Sequence, residues 1–149
     1  MIMVSMKQVL FAGLMTCGFL LAADAAPPVT FVDHEKVAAA LAKSASLASA
    51  SDLIVSGSHR NGPGQVEVHD KETDVMYVVD GTATLVTGGA MVGGKVTKPG
   101  QWIGTSVTGG DTRHLVKGDV VVVPAGTPHW FKEVPSSGIS YYGVKVLKP

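Results

Sequence analysis

The chain has a single cysteine in 149 residues, Cys17, and it lies in an apolar stretch near the N-terminus. A disulfide framework is thereby excluded, and so is a thiolate metal site. Charge is sparse as well. Asp, Glu, Lys and Arg make up 16 % of the residues, and the formal net charge is zero. A nucleic-acid partner would need a basic face to meet its phosphates, so none is expected. No apolar run reaches the roughly 20 residues that cross a bilayer as a helix.

The longest such run, Val9 to Ala23, has 15 residues. It follows Lys7 and ends at Ala23-Asp24-Ala25, a small-x-small pattern suited to a signal peptidase, with Pro27-Pro28 just beyond. Residues 1–25 are therefore expected to be a cleaved export signal. The mature protein would be periplasmic or extracellular, with no stable membrane anchor and no cysteine. Its chemistry would then run on oxygen and imidazole groups.

What the chain does have is Gly, 18 copies, and Val alternating with polar residues after Leu53. An N-terminal extension over residues 26–50 carries one helical pattern, from Asp33 to Leu47. Asp33 can cap it, and Val37, Ala38, Leu41, Ala45 and Ala48 recur at helical spacing. From residue 51 to 149 the period is two. Strands are expected at Leu53–Arg60, Gln65–Asp70, Val75–Val79, Thr82–Thr87, Trp102–Val107, Arg113–Val116, Val120–Val123, His129–Val134 and Ile139–Leu147. Asp80-Gly81 predicts a hairpin between the third and fourth of these. Residues 88–100 read as a loop or a loosely paired hairpin. Many short strands in one domain mean an all-β sandwich or closed barrel.

Two stretches stand out. The first is Glu67-Val68-His69, then four residues, Asp74, six residues and Gly81. The second is Gly118, five residues, then Pro124-Ala125-Gly126-Thr127-Pro128-His129. Together they resemble the paired motifs of the cupin family, over Leu53 to Leu147. The second motif fits up to His129, with Glu133 where a final Asn would stand. The first fits in spacing but departs in chemistry: Glu67 replaces a His and Asp74 replaces a Glu. The resemblance implies a double-stranded β-helix, or jelly-roll, barrel preceded by a short N-terminal helix. It also implies metal ligands at Glu67, His69, Asp74 and His129.

Alternation along strands gives that spacing a physical sense. Glu67 and His69 share one face of a strand, Asp74 shares a face with Met76 and Val78, and His129 with Phe131. Two imidazoles and up to two carboxylates suit one divalent transition metal. The oxygen-rich set ranks Fe or Mn first, Cu next, and leaves Zn and Ni possible. Glu67 is also a candidate general base. Met76 and Phe131 are expected to wall the pocket. His59, Arg60 and Trp102, with Gln101 beside it, are expected to meet the substrate.

The expected function is an exported mononuclear metal-dependent enzyme, an oxidase or dioxygenase acting on a small organic or carbohydrate substrate. The alternatives are a redox-neutral lyase or isomerase of a sugar or organic acid, and a non-catalytic ligand-binding barrel. The resemblance further implies a homodimer, for which Trp130, the Tyr141-Tyr142 pair and the helix offer surface.

Overall fold

In a computed structural model of the chain, residues 26–148 are described. The export-signal reading falls on residues 1–25, outside the described residues.

One helix, α1 (His34–Lys43), precedes the strands. Asp33 caps it, its carboxylate accepting from Lys36 N at 2.9 Å. It ends four residues earlier than its alanine content suggests. Ser44 takes φ +58°, donates its N–H to Ala40 O, and turns the chain into β1 (Ala45–Ser49). There the segment pairs with β2 (Leu53–Arg60). Local helix propensity differs by only tenths of a kcal/mol per residue, so a row of sheet hydrogen bonds overrides it. The helix lies so close to β2 that a Cβ on Gly57 would sit 2.8 Å from the Ala40 carbonyl carbon.

The remaining strands are β3 (Val66–His69), β4 (Glu72–Gly81), β5 (Ala83–Thr87), β6 (Ala90–Val92) and β7 (Lys95–Lys98). They continue with β8 (Gln101–Gly104), β9 (Ser106–Thr108), β10 (Asp111–Leu115), β11 (Val120–Val123), β12 (His129–Glu133) and β13 (Ile139–Leu147). One sheet has the order β1-β2-β13-β4-β11, the other β10-β5-β12-β3-β8-β7, and β6-β9 form a separate ribbon. All the pairings are antiparallel. The chain passes repeatedly from sheet to sheet, which is the all-β, jelly-roll architecture expected from the sequence.

Two local expectations are corrected. Asp80-Gly81 does not close a hairpin: β4 pairs with β13 and β11, whereas β5 pairs with β10 and β12. Gly81, at φ +81°, instead carries the chain across from one sheet to the other, and a Cβ there would collide with the Gly138 carbonyl. Residues 88–100 do not pair with each other either. They supply β6 and β7, whose partners β9 and β8 come later in sequence.

Met76, Val78, Ala83, Leu85, Leu115, Val123, Phe131, Ile139 and Tyr141 fill the space between the sheets. Each fully buried large side chain among them contributes about 1.5–3 kcal/mol. This core sits at one end of the interior. The other end is polar.

Candidate metal centre

Three strands deliver four side chains to that polar end. Glu67 and His69 come from β3, Asp74 from β4 and His129 from β12. The registers place them: His129 is opposite Glu67, and Asp74 is opposite both Val123 and Lys145. Asp74 is central. Its Oδ2 lies 3.3 Å from Nε2 of His69 and 3.3 Å from Nε2 of His129. Glu67 Oε2 lies 3.6 Å from the same His69 nitrogen. The two imidazole rings are 5.1 Å apart between centroids.

Each group is also held from behind. His129 Nδ1 donates to Thr127 O at 3.2 Å, which leaves Nε2 with its lone pair toward Asp74. Lys145 donates to Asp74 Oδ1 at 2.9 Å and sits 2.8 Å from Glu72 Oε2. Gln101 Nε2 donates to Glu72 Oε1 at 2.8 Å. Arg60 Nη2 reaches Glu67 Oε1 at 3.4 Å, and its Nε donates to the Tyr141 hydroxyl at 3.1 Å.

His69 is the exception. It is only 7 % exposed, yet neither ring nitrogen has a hydrogen-bond partner. The approach to Asp74 is an electrostatic contact without hydrogen-bond alignment, and Glu72 Oε2 lies 3.9 Å from Nδ1. Leaving such a buried group unsatisfied costs about 1–3 kcal/mol. Two donors bound to one ion at about 2.1 Å lie roughly 3.0–3.4 Å apart in octahedral or tetrahedral geometry, and the spacings here are close to that. The residues present therefore fit a divalent cation. Two overlapping groups have suitable donor atoms: Glu67, His69 and His129, and His69, Glu72 and Asp74.

The charges respond to this crowding. Burial works against ionisation of Asp74, but His69 and Lys145 outweigh it and hold its carboxyl below the usual range. Burial likewise opposes a charge on His69. The neighbouring carboxylates of Asp74 and Glu67 outweigh burial and the opposing charge of Lys145, and raise its pKa. His129 goes the other way, pushed down by burial. For Lys145 and Arg60 burial is outweighed by Glu72 and Asp74, and by Tyr141 and Glu67, so both are held charged.

A cavity of about 220 Å³ opens beside the cluster. Arg60, Met76 and Phe131 line it with Ser58, Gln65 and Tyr141. Two residues expected there face elsewhere. On β2, Ser56, Ser58 and Arg60 alternate toward the cavity, so His59 points outward to α1. Its N–H donates to Ser44 Oγ at 2.8 Å, and its Nδ1 lies 2.9 Å from Ser140 Oγ. Trp102 is opposite Val68, on the face of β3 away from Glu67 and His69. Its indole donates to Asp70 Oδ1 at 3.0 Å, and it is 37 % exposed. Gln101 and Ile103 follow the inner parity of β8, and together with Trp102 they line a second cleft that also reaches Glu67, His69, Glu72 and Lys145. Tyr141, expected at an outer surface, is buried against the cavity and stacks on Phe131 with centroids 5.3 Å apart.

Sequence reasoning missed Glu72, Lys145, Ser58, Gln65 and the inward role of Tyr141. Glu72 was within reach, since it is two residues from Asp74 on one strand and so shares its face. Lys145 was not, because only the pairing of β13 with β4 brings it there.

The comparisons with known proteins agree with this architecture. The family profile described as Cupin matches residues 49–147. No curated protein matches the chain. A solved structure from Bacillus halodurans has 13 % identity and a TM-score of 0.58, over 82 % of this chain and 84 % of that one. An uncharacterised conserved protein with a double-stranded β-helix domain, from Klebsiella pneumoniae, has 16 % identity and a TM-score of 0.50, over 68 % and 73 %. The cupin domain of Cnp3 from Schizosaccharomyces pombe has 12 % identity and a TM-score of 0.51, over 70 % and 63 %. At these identities the likeness is one of fold.

Proposed function

The chain belongs to the cupin family, and from that premise we propose that it is an exported mononuclear metalloenzyme, an oxidase or dioxygenase acting on a small organic or carbohydrate substrate. One observation carries the reading. His69 is buried with both ring nitrogens unpartnered, and a carboxylate oxygen stands 3.3 Å from it and from a second imidazole. A cation among these members would give the His69 nitrogens the partner they lack and offset the carboxylate charge.

His69, His129, Glu67 and Asp74 would hold the ion, with Fe or Mn ahead of Cu because carboxylate oxygens are half of the set. When bound, the metal would polarise an oxygen-bearing substrate and supply open coordination positions for redox chemistry. The chain's own groups do the rest. The Thr127 carbonyl fixes the His129 tautomer. Lys145 holds one oxygen of Asp74 and leaves the other toward the imidazoles. Arg60 holds Glu67 Oε1 loosely, so Oε2 is available to ligate or to take a proton from the substrate. Phe131, Met76 and Tyr141 keep the cavity wall apolar.

A second reading has its own support. Glu67, Tyr141 and Arg60 ring one cavity, and such acid–base groups suit a redox-neutral lyase or isomerase as well.

Elemental analysis of protein purified without chelator or tag metal, beside His129→Ala, tests the proposal. About one equivalent of Fe, Mn or Cu, lost in the variant, is expected. Dioxygen uptake by the loaded protein with candidate substrates then separates the two readings. Absence of metal in both proteins, with no thermal shift on adding metals, refutes the enzyme reading.

A further inference from the structure

Resting on the metalloenzyme reading, we infer that the cavity beside the cluster binds a small carboxylic acid, with Arg60 as its carboxylate clamp and Ser58 and Gln65 meeting a second oxygen of the same molecule.

The argument starts from the two cations at the site. Lys145 is tightly engaged, two of its three N–H groups meeting carboxylate oxygens at 2.8 and 2.9 Å. Arg60 is not. Its contact with Glu67 is a single one at 3.4 Å, its Nε is used by Tyr141, and its Nη1 makes no hydrogen bond among the described residues. A guanidinium offers five N–H groups in a planar fork that matches a carboxylate. The fork is held in place, since its carbon sits 4.8 Å from the Phe131 ring centroid. A bound acid would therefore meet a donor whose orientation is already set.

The net charge points the same way. Glu67, Glu72 and Asp74 face Lys145 and Arg60, which leaves one negative charge in excess. A divalent ion converts that excess into one positive charge. A monoanion completes the balance, whereas a neutral sugar does not.

The polar wall fits the remainder of such a molecule. Ser56 Oγ is taken by the Gly143 carbonyl at 3.3 Å, but Ser58 and Gln65 line the cavity with no protein partner among the described residues. Their hydroxyl and amide suit a hydroxyl or keto oxygen. The volume, about 220 Å³, is below the roughly 300–1,000 Å³ of sites for drug-sized ligands. The expected class is thus a compact hydroxy or keto acid, a simple organic acid or a single sugar acid.

The test uses the Mn(II)-loaded protein and calorimetric titration with lactate, glycerate and glucuronate. Lactamide, glycerol and glucose serve as uncharged counterparts. At least one acid is expected to bind, and its uncharged counterpart to bind at least about tenfold more weakly, the effect of losing hydrogen bonds to a charged group. Arg60→Met is expected to lose at least tenfold for the acid, and Arg60→Lys to recover part of it. The Mn(II) content and its paramagnetic resonance spectrum are recorded for each variant, so loss of the metal is told apart from loss of the clamp. Equal binding of acid and amide overturns the inference, as does unchanged acid binding in Arg60→Met, or no binding by any acid at millimolar concentration. If Mn(II) fails to load while acids still bind through Arg60, the metalloenzyme reading fails and the acid site stands.

Discussion

Replacing Lys145 with Met removes one cation and keeps most of its apolar stem. Among the described residues, Lys145 is the only hydrogen-bonding group on Asp74 Oδ1, at 2.9 Å, and one of two close donors to Glu72, at 2.8 Å. Hydrogen bonds to charged groups contribute about 1.5–3 kcal/mol each when shielded from water. The Lys145 side chain is 34 % exposed, against 12 % for Asp74 and 20 % for Glu72. Solvent therefore screens part of the effect, and a loss of roughly 2–4 kcal/mol is reasonable for the metal-free protein. For a domain of this size that lowers Tm by about 6–16 °C.

The same change should tighten metal binding. It removes one positive charge roughly 6 Å from the divalent ion, and with an effective dielectric constant of about 20–40 that charge opposes binding by about 2.8–5.5 kcal/mol. At least about a tenfold gain in Mn(II) affinity follows. Scanning calorimetry without metal and calorimetric titration with Mn(II) measure the two effects. Their pH dependence adds a check. Asp74 has a lowered pKa, so its contribution is present above 3.8, the ordinary value, and is lost as pH falls through the lower folded value. The Tm difference between the two proteins should shrink over that acid range. An unchanged Tm, or weaker Mn(II) binding in the variant, refutes the reasoning.

Other outcomes follow from the same geometry. Metal uptake must displace a proton from His69, whose pKa is raised above 6.5; His129 is already held neutral by burial. Mn(II) affinity should therefore rise with pH until it passes the raised His69 value and then flatten, and a flat profile from pH 6 upward would count against this site. Gly57→Val places a side chain against the α1 backbone, 2.8 Å from Ala40 C and Leu41 N. It should cost about 1–3 kcal/mol of stability while metal content stays at the wild-type level; equal loss of both would mean that the helix supports the metal centre. Trp102→Phe should leave metal and acid binding unchanged, because the indole is turned to Asp70 and the residue does not line the acid cavity. A clear loss of either would restore it as a ligand contact.

Much of this protein was legible in its sequence because strand alternation is a local property. Side chains two apart share a face whatever the strand pairs with, so Glu67 with His69, Asp74 with Met76, and His129 with Phe131 could be assigned together. The limits of β2, β11 and β13 were legible too, since valine runs and turn glycines bound them. Parity alone could not say which face was inner. Trp102 and His59 are each one residue out of phase with the cavity, and only the register of β8 against β3 and of β2 against β13 shows it. Nor could local signals tell a tight hairpin at Gly81 from a crossing between sheets, because the competing partner, β13, lies some 60 residues further on. Lys145 reaches Asp74 by that same long-range pairing. The sequence by itself determined an all-β domain, with its likeness to cupins choosing the jelly roll, and the strands that bear the ligands; the tertiary structure decided which cations hold the carboxylates, and so which oxygens and nitrogens are left facing one another.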